Sequence, residues 1–183
     1  APEGNMVVDI GAGTTDAAVI SMCGVVVSAS VKVGSQNFNK AIMSHVREMH
    51  GLYIGEETAE KIKVNLGCAC VEPRVRTMQV TGRNVSTGLP KTVSLSGSET
   101  HEALHEILGQ IVDVIHSILE KTPPELAADI VDRGILLTGG GALLRGMDTL
   151  VEQRTEVSCM TANDPMTATA VGTAKYPGIL GLA

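Results

Sequence analysis

The chain is 183 residues long, with 44% hydrophobic and 19% charged residues, which suits one globular domain or two closely packed subdomains. Its apolar runs are too short to span a bilayer, and its first residues lack a signal-peptide pattern, so we expect a cytosolic protein. A net charge of −6 without a long basic run argues against nucleic acid as the main partner.

The first part of the chain predicts a three-stranded meander followed by a small α+β piece. Short apolar runs between turn residues predict strands at 5–10, 15–21, 25–33, 75–81 and 91–95. Apolar residues at three- and four-residue spacing predict a helix from Phe38 to His50, which Gly51 closes, and a shorter helix from Thr58 to Leu66.

The second part alternates helices and strands. Ser96-Gly97-Ser98-Glu99 is a capping-box pattern, and it opens a long helix whose apolar stripe ends before Pro123. We expect Thr122 to cap the next helix, with Pro123 at its first position and Gly134 at its end. The remaining elements are a strand at 135–138, a helix at 142–153, a strand at 157–160 and a final helix from Asp164-Pro165 to about Lys175, broken by Tyr176-Pro177-Gly178.

The stretch DIGAGTTD, from Asp9 to Asp16, allows two interpretations. Two glycines between strands most often serve only the geometry of a turn. However, Asp9 ends a buried run, where a carboxylate needs a cation or a hydrogen-bond donor as its partner. The N–H groups of residues 11–14 and the threonine hydroxyls are able to hold phosphate oxygens, and Asp9 is able to bind Mg²⁺ through water.

Two further motifs also allow two interpretations each. Glu60 and Lys63 lie one helical turn apart, so they form either a solvated ion pair or a carboxylate and an ammonium that face one ligand. Gly139 to Gly141 follow a buried strand, and they serve either a close crossing of chain segments or the approach of backbone to an anion. The four cysteines are scattered, without a second ligand pair at zinc-like spacing, so we interpret them as reduced thiols. His101 and His105 have the i, i+4 spacing of a zinc pair, but the residues around them match no metalloprotease signature.

These three motifs, in this order, resemble the phosphate, ribose and adenosine segments of the actin and heat-shock chaperone ATPase superfamily. The segments LPKT from Leu89, TPPELAADIVDRGILLTGGGALLRGMD from Thr122 and NDP from Asn163 resemble the MreB/Mbl family of bacterial actin homologues. This similarity covers residues 5 to 175.

The resemblance implies an α/β fold, namely half of an actin-like (ribonuclease H-like) ATPase, with a mixed sheet, flanking helices and a small α+β subdomain. Residues 1–38 and 93–165 would form the core subdomain and 39–92 the small outer subdomain. Residues 166–183 would be the start of a return helix and a divergent tail. The first half of the fold is expected to lie outside this chain.

The resemblance also implies ATP and Mg²⁺ as cofactors. Asp9 and Asp16 would organise the metal through water, and Glu60 and Lys63 would contact the ribose. The phosphates would be held by Gly11, Ala12, Gly13, Thr14, Thr15 and Gly34, and the adenosine by Gly139, Gly140 and Gly141. Catalytic residues are expected in the first half, so this half alone should hydrolyse ATP poorly or not at all.

By the same resemblance, the parent protein would polymerise with ATP into membrane-associated cytoplasmic filaments that direct cell-wall synthesis and rod shape. Its partners would be further copies of itself and membrane proteins of cell shape and wall synthesis, with membrane contact through the first half.

The alternative is a non-catalytic actin-like interaction module with a degenerate nucleotide site. It rests on Ala12, where the family has glycine, and on the lack of acidic residues at 35–39. A chaperone or a sugar kinase is disfavoured by the run from Thr122.

Overall fold

The computed structural model describes residues 3–71, 74 and 76–179, which form eight strands and six α-helices. The strands are β1 (Asn5–Ile10), β2 (Thr15–Ser21), β3 (Gly24–Val31), β4 (Leu52–Tyr53), β5 (Thr77–Asn84), β6 (Pro90–Ser96), β7 (Ile135–Thr138) and β8 (Cys159–Thr161). The helices are α1 (Ser35–His50), α2 (Glu56–Leu66), α3 (Gly97–Lys121), α4 (Pro124–Arg133), α5 (Met147–Thr155) and α6 (Ala168–Ile179).

The main sheet is mixed, with strand order β3-β2-β1-β7-β8. The predicted meander β1-β2-β3 is antiparallel throughout, whereas β1–β7 and β7–β8 are parallel pairs. Met6, Val8 and Ile10 alternate along β1 and are all buried, because every second side chain points to the same face. β1 therefore lies at the centre of the sheet, with β2 on one side and β7 on the other.

The long helix α3 begins where the sequence predicts. Ser96 caps it, because its Oγ accepts from the Glu99 N–H at 3.3 Å while Glu99 accepts from the Ser96 N–H at 2.8 Å. Its apolar stripe is buried, including Leu104, Ile111 and Ile118, and the helix packs against β2 and β3. The hydrophobic face thus covers one side of the main sheet.

A second, antiparallel sheet of order β4-β5-β6 packs with α1 and α2. Gly51 ends α1 in the left-handed conformation, as predicted from its position. Phe38 and Ile42 of α1, Ile62 of α2 and Leu95 of β6 belong to the same cluster of buried residues as the interior of the main sheet. The apolar core therefore runs without a break from one sheet to the other.

The predicted start of α4 was wrong by one residue. Pro124, not Pro123, is the first helical residue, and Thr122 ends α3 instead. The Thr122 hydroxyl donates to the Ile118 carbonyl at 2.7 Å, so it serves the preceding helix. Its extended backbone agrees with the restriction that a following proline imposes.

The predicted helix at 142–153 was also wrong, since it is divided in two. Residues Gly140–Leu143 form a short 3₁₀ turn, and α5 begins only at Met147. Between them the chain turns aside at Gly146, which has φ +70°, and the Arg145 carbonyl accepts from the Ala69 N–H at 2.7 Å. The segment after the 3₁₀ turn therefore pairs with a distant loop instead of continuing a helix.

The last helix also differs from the prediction. It begins at Ala168 and continues to Ile179, past the proline at which a break was expected. Val75, the predicted first residue of a strand, and residues 180–183 of the predicted tail lie outside the described residues. Across the ranges that the structure describes, no helix is both long and apolar enough to cross a membrane.

Gly82 in the central strand of the small sheet provides a test of this packing. A β-carbon there would collide with the Tyr53 carbonyl oxygen and would lie 3.0 Å from side-chain carbons of Leu52 and Ile54. We expect Gly82→Ala to lower the free energy of unfolding, measured by urea denaturation, by about 1–3 kcal/mol.

Gly109 is the matched control for Gly82. It lies inside α3, and apart from the adjoining chain and the backbone of the same helix no described residue has an atom within 4 Å of the added β-carbon. Gly109→Ala should raise the free energy of unfolding by about 0.5–1 kcal/mol, because alanine favours the helix. Equal destabilisation by both substitutions would contradict the described packing of β5 on β4.

Candidate functional site

The parallel pair of β1 and β7 brings the two predicted glycine motifs side by side. Asp9 is the register partner of Thr138, so the turn after β1 and the turn after β7 leave the sheet at the same edge. Gly139, with φ +82°, is packed against the Asp9 carboxylate and the Ile10 carbonyl, and Gly141 is packed against the Ile10 side chain. A β-carbon at either glycine would overlap these atoms, so the close-crossing interpretation holds for both. Gly140 is exposed and faces open space.

The turn after β1 is tied to the start of α1. The Gly11 N–H donates to the Thr14 carbonyl at 2.8 Å, which closes the turn. The N–H groups of Ser35 and Gln36, in the first turn of α1, donate at 2.9 Å to the carbonyls of Gly11 and Ala12. Gly34 is buried against this turn, and a β-carbon on it would lie 2.6 Å from the Ala12 carbonyl. The turn carbonyls therefore satisfy helix N–H groups that would otherwise lack partners.

The outer side of this turn is open. Ala12, Gly13 and Thr14 are exposed, and apart from its chain neighbours no residue in the described ranges has an atom within 4 Å of a β-carbon built on Gly13. Ala12 does not have a positive φ, so its methyl group causes no backbone strain. The Thr14 hydroxyl donates to Asp16 at 3.0 Å.

Thr15 differs from the rest of the turn. Its side chain is fully buried, and its hydroxyl donates to the Val33 carbonyl at 2.8 Å. That hydroxyl therefore joins β2 to the chain just after β3, and it does not donate on the exposed side of the turn, where a phosphate was expected to accept from it. Thr15 supports the turn from the interior.

Asp9 has the hydrogen-bond donor that its position required. It is half-buried, and its Oδ2 accepts from the Thr169 hydroxyl of α6 at 2.7 Å. Asp16 is its register partner on β2, so two carboxylates occupy neighbouring strands at one edge of the sheet. Oxygen donors of this kind are those that Mg²⁺ prefers, and the residues present therefore fit a magnesium ion held through water.

A cleft of about 410 Å³ lies between α1, α2 and the 3₁₀ turn. Glu60 and Lys63 line one side, and Gly140 and Gly141 line the other. Ser35 also lines it, and its N–H bond to Gly11 connects the cleft to the turn after β1. The remaining lining residues are Phe38, Val64, Leu143, Leu144, Arg145 and Met166.

Glu60 and Lys63 form an ion pair of 2.7 Å. Lys63 is only 12% exposed, whereas Glu60 is 49% exposed. The Lys63 hydrogen bond lowers the pKa of Glu60; a hydrogen bond from Asn39 lowers it too, while partial burial opposes both. Glu60 is therefore an ionised acceptor at neutral pH. The pair is a helix ion pair, as one interpretation expected, and it also lines the cleft.

Several residues of this site were missed by sequence reasoning. Thr169 reaches Asp9 across 160 residues, and no local pattern distinguishes it from other helical threonines. Arg145 donates to the carbonyls of Asn65 and Gly67, at 3.0 and 3.1 Å, and so joins the 3₁₀ segment to α2. The apolar walls of the cleft carried no motif either, although apolar walls with a few convergent polar groups are typical of small-molecule sites.

The cysteines and histidines lie apart from this cleft. All four cysteines are free thiols. Within the part of the chain that the structure describes, no group of three histidine, cysteine or acidic side chains is arranged to hold a metal ion. His101 and His105 meet edge to face, and His101 Nδ1 lies 3.1 Å from the Cys68 carbonyl oxygen.

Comparison with known proteins yields one consistent family. A family model described as MreB/Mbl protein matches residues 1–179. The cell shape-determining protein Mbl of Bacillus subtilis (strain 168) is 45% identical over 94% of this chain and 52% of its own length. The cell shape-determining protein MreB of Escherichia coli (strain K12) is 49% identical over 94% of this chain and 50% of its own length. The chain thus spans about half the length of these curated relatives.

Solved structures agree with the fold described above. MreB5 of Spiroplasma citri bound to ADP matches with a TM-score of 0.93 and 36% identity, over 98% of this chain and 54% of that one. The MamK double helical filament matches with a TM-score of 0.73 at 21% identity, which concerns the fold alone. The predicted α/β, actin-like fold with a mixed sheet and flanking helices is confirmed. From the family model, the curated relatives and this fold together, the chain belongs to the MreB/Mbl family.

Proposed function

We propose that this chain forms one side of an ATP-binding cleft in a cell shape-determining cytoskeletal protein. The observation that carries the proposal is the arrangement of three motifs around one cleft: the Glu60–Lys63 pair and the turn after β7 line it, and the turn after β1 is hydrogen-bonded to Ser35, which lines it too. A relative from Spiroplasma citri binds ADP, and relatives from two other bacteria are named cell shape-determining proteins, which supports it.

The proposed roles follow from which groups line the cleft and which lie in the turn beside it. Backbone N–H groups of the exposed residues 12–14 would hold the terminal phosphates, while Gly11, whose N–H closes the turn, and Gly34 and Thr15 support it from beneath. Glu60 would accept from ribose hydroxyls and Lys63 would lie beside them. Gly140 would contact the adenosine, while Gly139 and Gly141 allow the turn to approach β1 closely. Asp9 and Asp16 would hold Mg²⁺ through water, and the ion would neutralise phosphate charge.

Hydrolysis would need groups beyond this chain. Phosphoryl transfer depends on positioning and charge stabilisation from all sides of the phosphate. The curated relatives are about twice as long as this chain, so the opposite side of the cleft and the residue that positions the attacking water would belong to the rest of the parent. We expect weak ATP binding and negligible hydrolysis from this chain by itself.

The assembly and location of the parent are proposed at the level of the family. Copies would associate into cytoplasmic filaments at the membrane, in contact with membrane proteins of cell shape and wall synthesis. The membrane contact would be made by the other half. We also propose that residues 1–38 with 93–165 and residues 39–92 act as two subdomains; these limits fall inside α1 and β6, which would join the two.

One observation favours the alternative of a non-catalytic interaction module. The first turn of α1 has no acidic residue, and the carbonyls of Gly11 and Ala12 already satisfy its N–H groups. A helix start that is occupied in this way offers fewer free donors to a phosphate. The two experiments below separate this module from the nucleotide-binding protein.

Lys63 and Lys61 form a matched pair for testing ATP binding. Both lie on α2 and pair with a glutamate at 2.7 Å, but only Lys63 lines the cleft. Lys63→Ala should weaken ATP binding, measured by calorimetry with Mg²⁺, by about tenfold because a charged contact is lost. Lys61→Ala should change it by less than about twofold, since exposed ion pairs contribute little. Equal effects of both substitutions would contradict the proposed cleft.

Filament formation requires a longer protein. We expect this chain, joined to the first half of Escherichia coli MreB, to sediment in a pelleting assay with ATP and Mg²⁺ and to remain in the supernatant without nucleotide. Pelleting that does not depend on nucleotide, or the absence of pelleting although ATP binds, would favour the interaction module.

A further inference from the structure

Asn39 is a buried amide behind the candidate cleft. It lies on α1, is only 4% exposed and does not line the cleft. Its Nδ2 donates to Glu60 Oε2 at 2.9 Å, across the contact between α1 and α2. Asn39 is therefore placed to act on a ligand only through Glu60.

The orientation of the Asn39 amide is determined by this bond. Its Oδ1 is buried and finds no hydrogen-bond partner among the residues that the structure describes. Exchanging the amide oxygen and nitrogen would make Oδ1 face the Glu60 carboxylate, so that two acceptors would oppose each other. An unpaired buried carbonyl costs free energy. The hydrogen bond from Nδ2 to the ionised Glu60 carboxylate is favourable and offsets that cost.

The second donor to Glu60 ends on the same oxygen. Lys63 Nζ lies 2.7 Å from Oε2, as does the Asn39 amide at 2.9 Å. Among the residues that the structure describes, both donors to Glu60 therefore use Oε2, one from its own helix and one from α1. Together they restrain the carboxylate through Oε2, and Oε1 is the oxygen that remains for a ligand.

The electrostatic surroundings agree with an acceptor role. The pKa of Glu60 is lowered mainly by the Lys63 hydrogen bond and also by that of Asn39, against the opposing effect of burial. Arg145 lines the same cleft, where it is engaged with the carbonyls of Asn65 and Gly67. Glu60 thus remains ionised near neutral pH. Since the ionised form is the one that Asn39 and Lys63 stabilise, this stabilisation is lost as the pH falls through the lowered pKa.

We infer that Asn39 is a positioning residue that sets the preference of the cleft for a ligand with sugar hydroxyls. By holding Oε2, it presents Oε1 of Glu60 to a hydroxyl pair such as that of ribose. This inference rests on the proposed nucleotide function. A purely structural link between α1 and α2 would make the same contacts and change the titration of Glu60 as well, but it would not affect the discrimination between sugars.

The first experiment needs no nucleotide. The carboxyl group of Glu60 is titrated by ¹³C NMR in the 183-residue chain and in three variants. Asn39→Asp, which has almost the same shape, should move the Glu60 pKa upward because a like charge replaces a donor. Asn39→Ala should move it upward by less. Asn65→Asp, the same change at an exposed position of α2, should leave the Glu60 pKa unchanged. An unchanged Glu60 pKa in Asn39→Asp would overturn the inference.

The second experiment measures discrimination, using ATP and 2′,3′-dideoxy-ATP as probes with Mg²⁺. We expect the unmodified chain to prefer ATP by about tenfold, as for a hydroxyl that donates to a charged acceptor. Asn39→Ala should remove most of that preference while the affinity for dideoxy-ATP stays within about twofold, since only the hydroxyl contact depends on Glu60. If Asn39→Ala fails to fold, Asn39→Asp serves in its place.

The outcomes distinguish the two proposals. A preference that Glu60→Gln abolishes but both Asn39 variants retain would overturn the role of Asn39 and leave the proposed function intact. Binding of neither probe by the unmodified chain would overturn the proposed function and, with it, the assignment of a sugar to this cleft.

Discussion

The site depends on the close crossing of two chain segments at the ends of β1 and β7. The parallel pairing places Thr138 beside Asp9, and the crossing is possible only because Gly139 and Gly141 lack a β-carbon. Hydrogen bonds extend from this crossing to the cleft. The turn after β1 accepts from the first N–H groups of α1, and Asn39 of α1 donates to Glu60 of α2. A change at the crossing should therefore alter the cleft as a whole, since packed interiors transmit displacement.

Charge sets a second constraint on the proposed ligand. The chain carries a net charge of −6, and Asp9 and Asp16 face the place proposed for the phosphates. Carboxylates so close to a phosphate would repel it unless a cation lay between them. The cleft itself offers the positive charges of Lys63 and Arg145 as favourable contacts, and the exposed residues 12–14 of the neighbouring turn offer backbone N–H groups. The proposed function accordingly requires Mg²⁺ together with the nucleotide, not the nucleotide alone.

Local patterns predicted the elements whose causes are local. The capping box at Ser96 and the three-stranded meander were predicted because turn and cap residues lie next to the elements they define. The division of the predicted helix at 142–153 was missed because its cause, the pairing of Arg145 with Ala69, joins segments far apart in sequence. The same holds for the site. Its glycine motifs and the Glu60–Lys63 pair were predicted from local sequence, whereas the hydrogen bond from Thr169 to Asp9 joins residues far apart in sequence and was not. The subdomain limits and the roles of the site residues stay predictions.

The central claim is that both glycine turns and α2 contact one bound nucleotide. The most direct measurement is a titration of the ¹⁵N-labelled chain with ATP and Mg²⁺, followed by the amide shifts of each residue. The account predicts that shifts concentrate at Gly13, Thr14, Lys63 and Gly140, while the amide signals of Gly88 and Gly109 do not move, because neither residue lines the cleft or belongs to the turn after β1. Shifts that cluster elsewhere, or none at these four amides at saturating nucleotide, would contradict it.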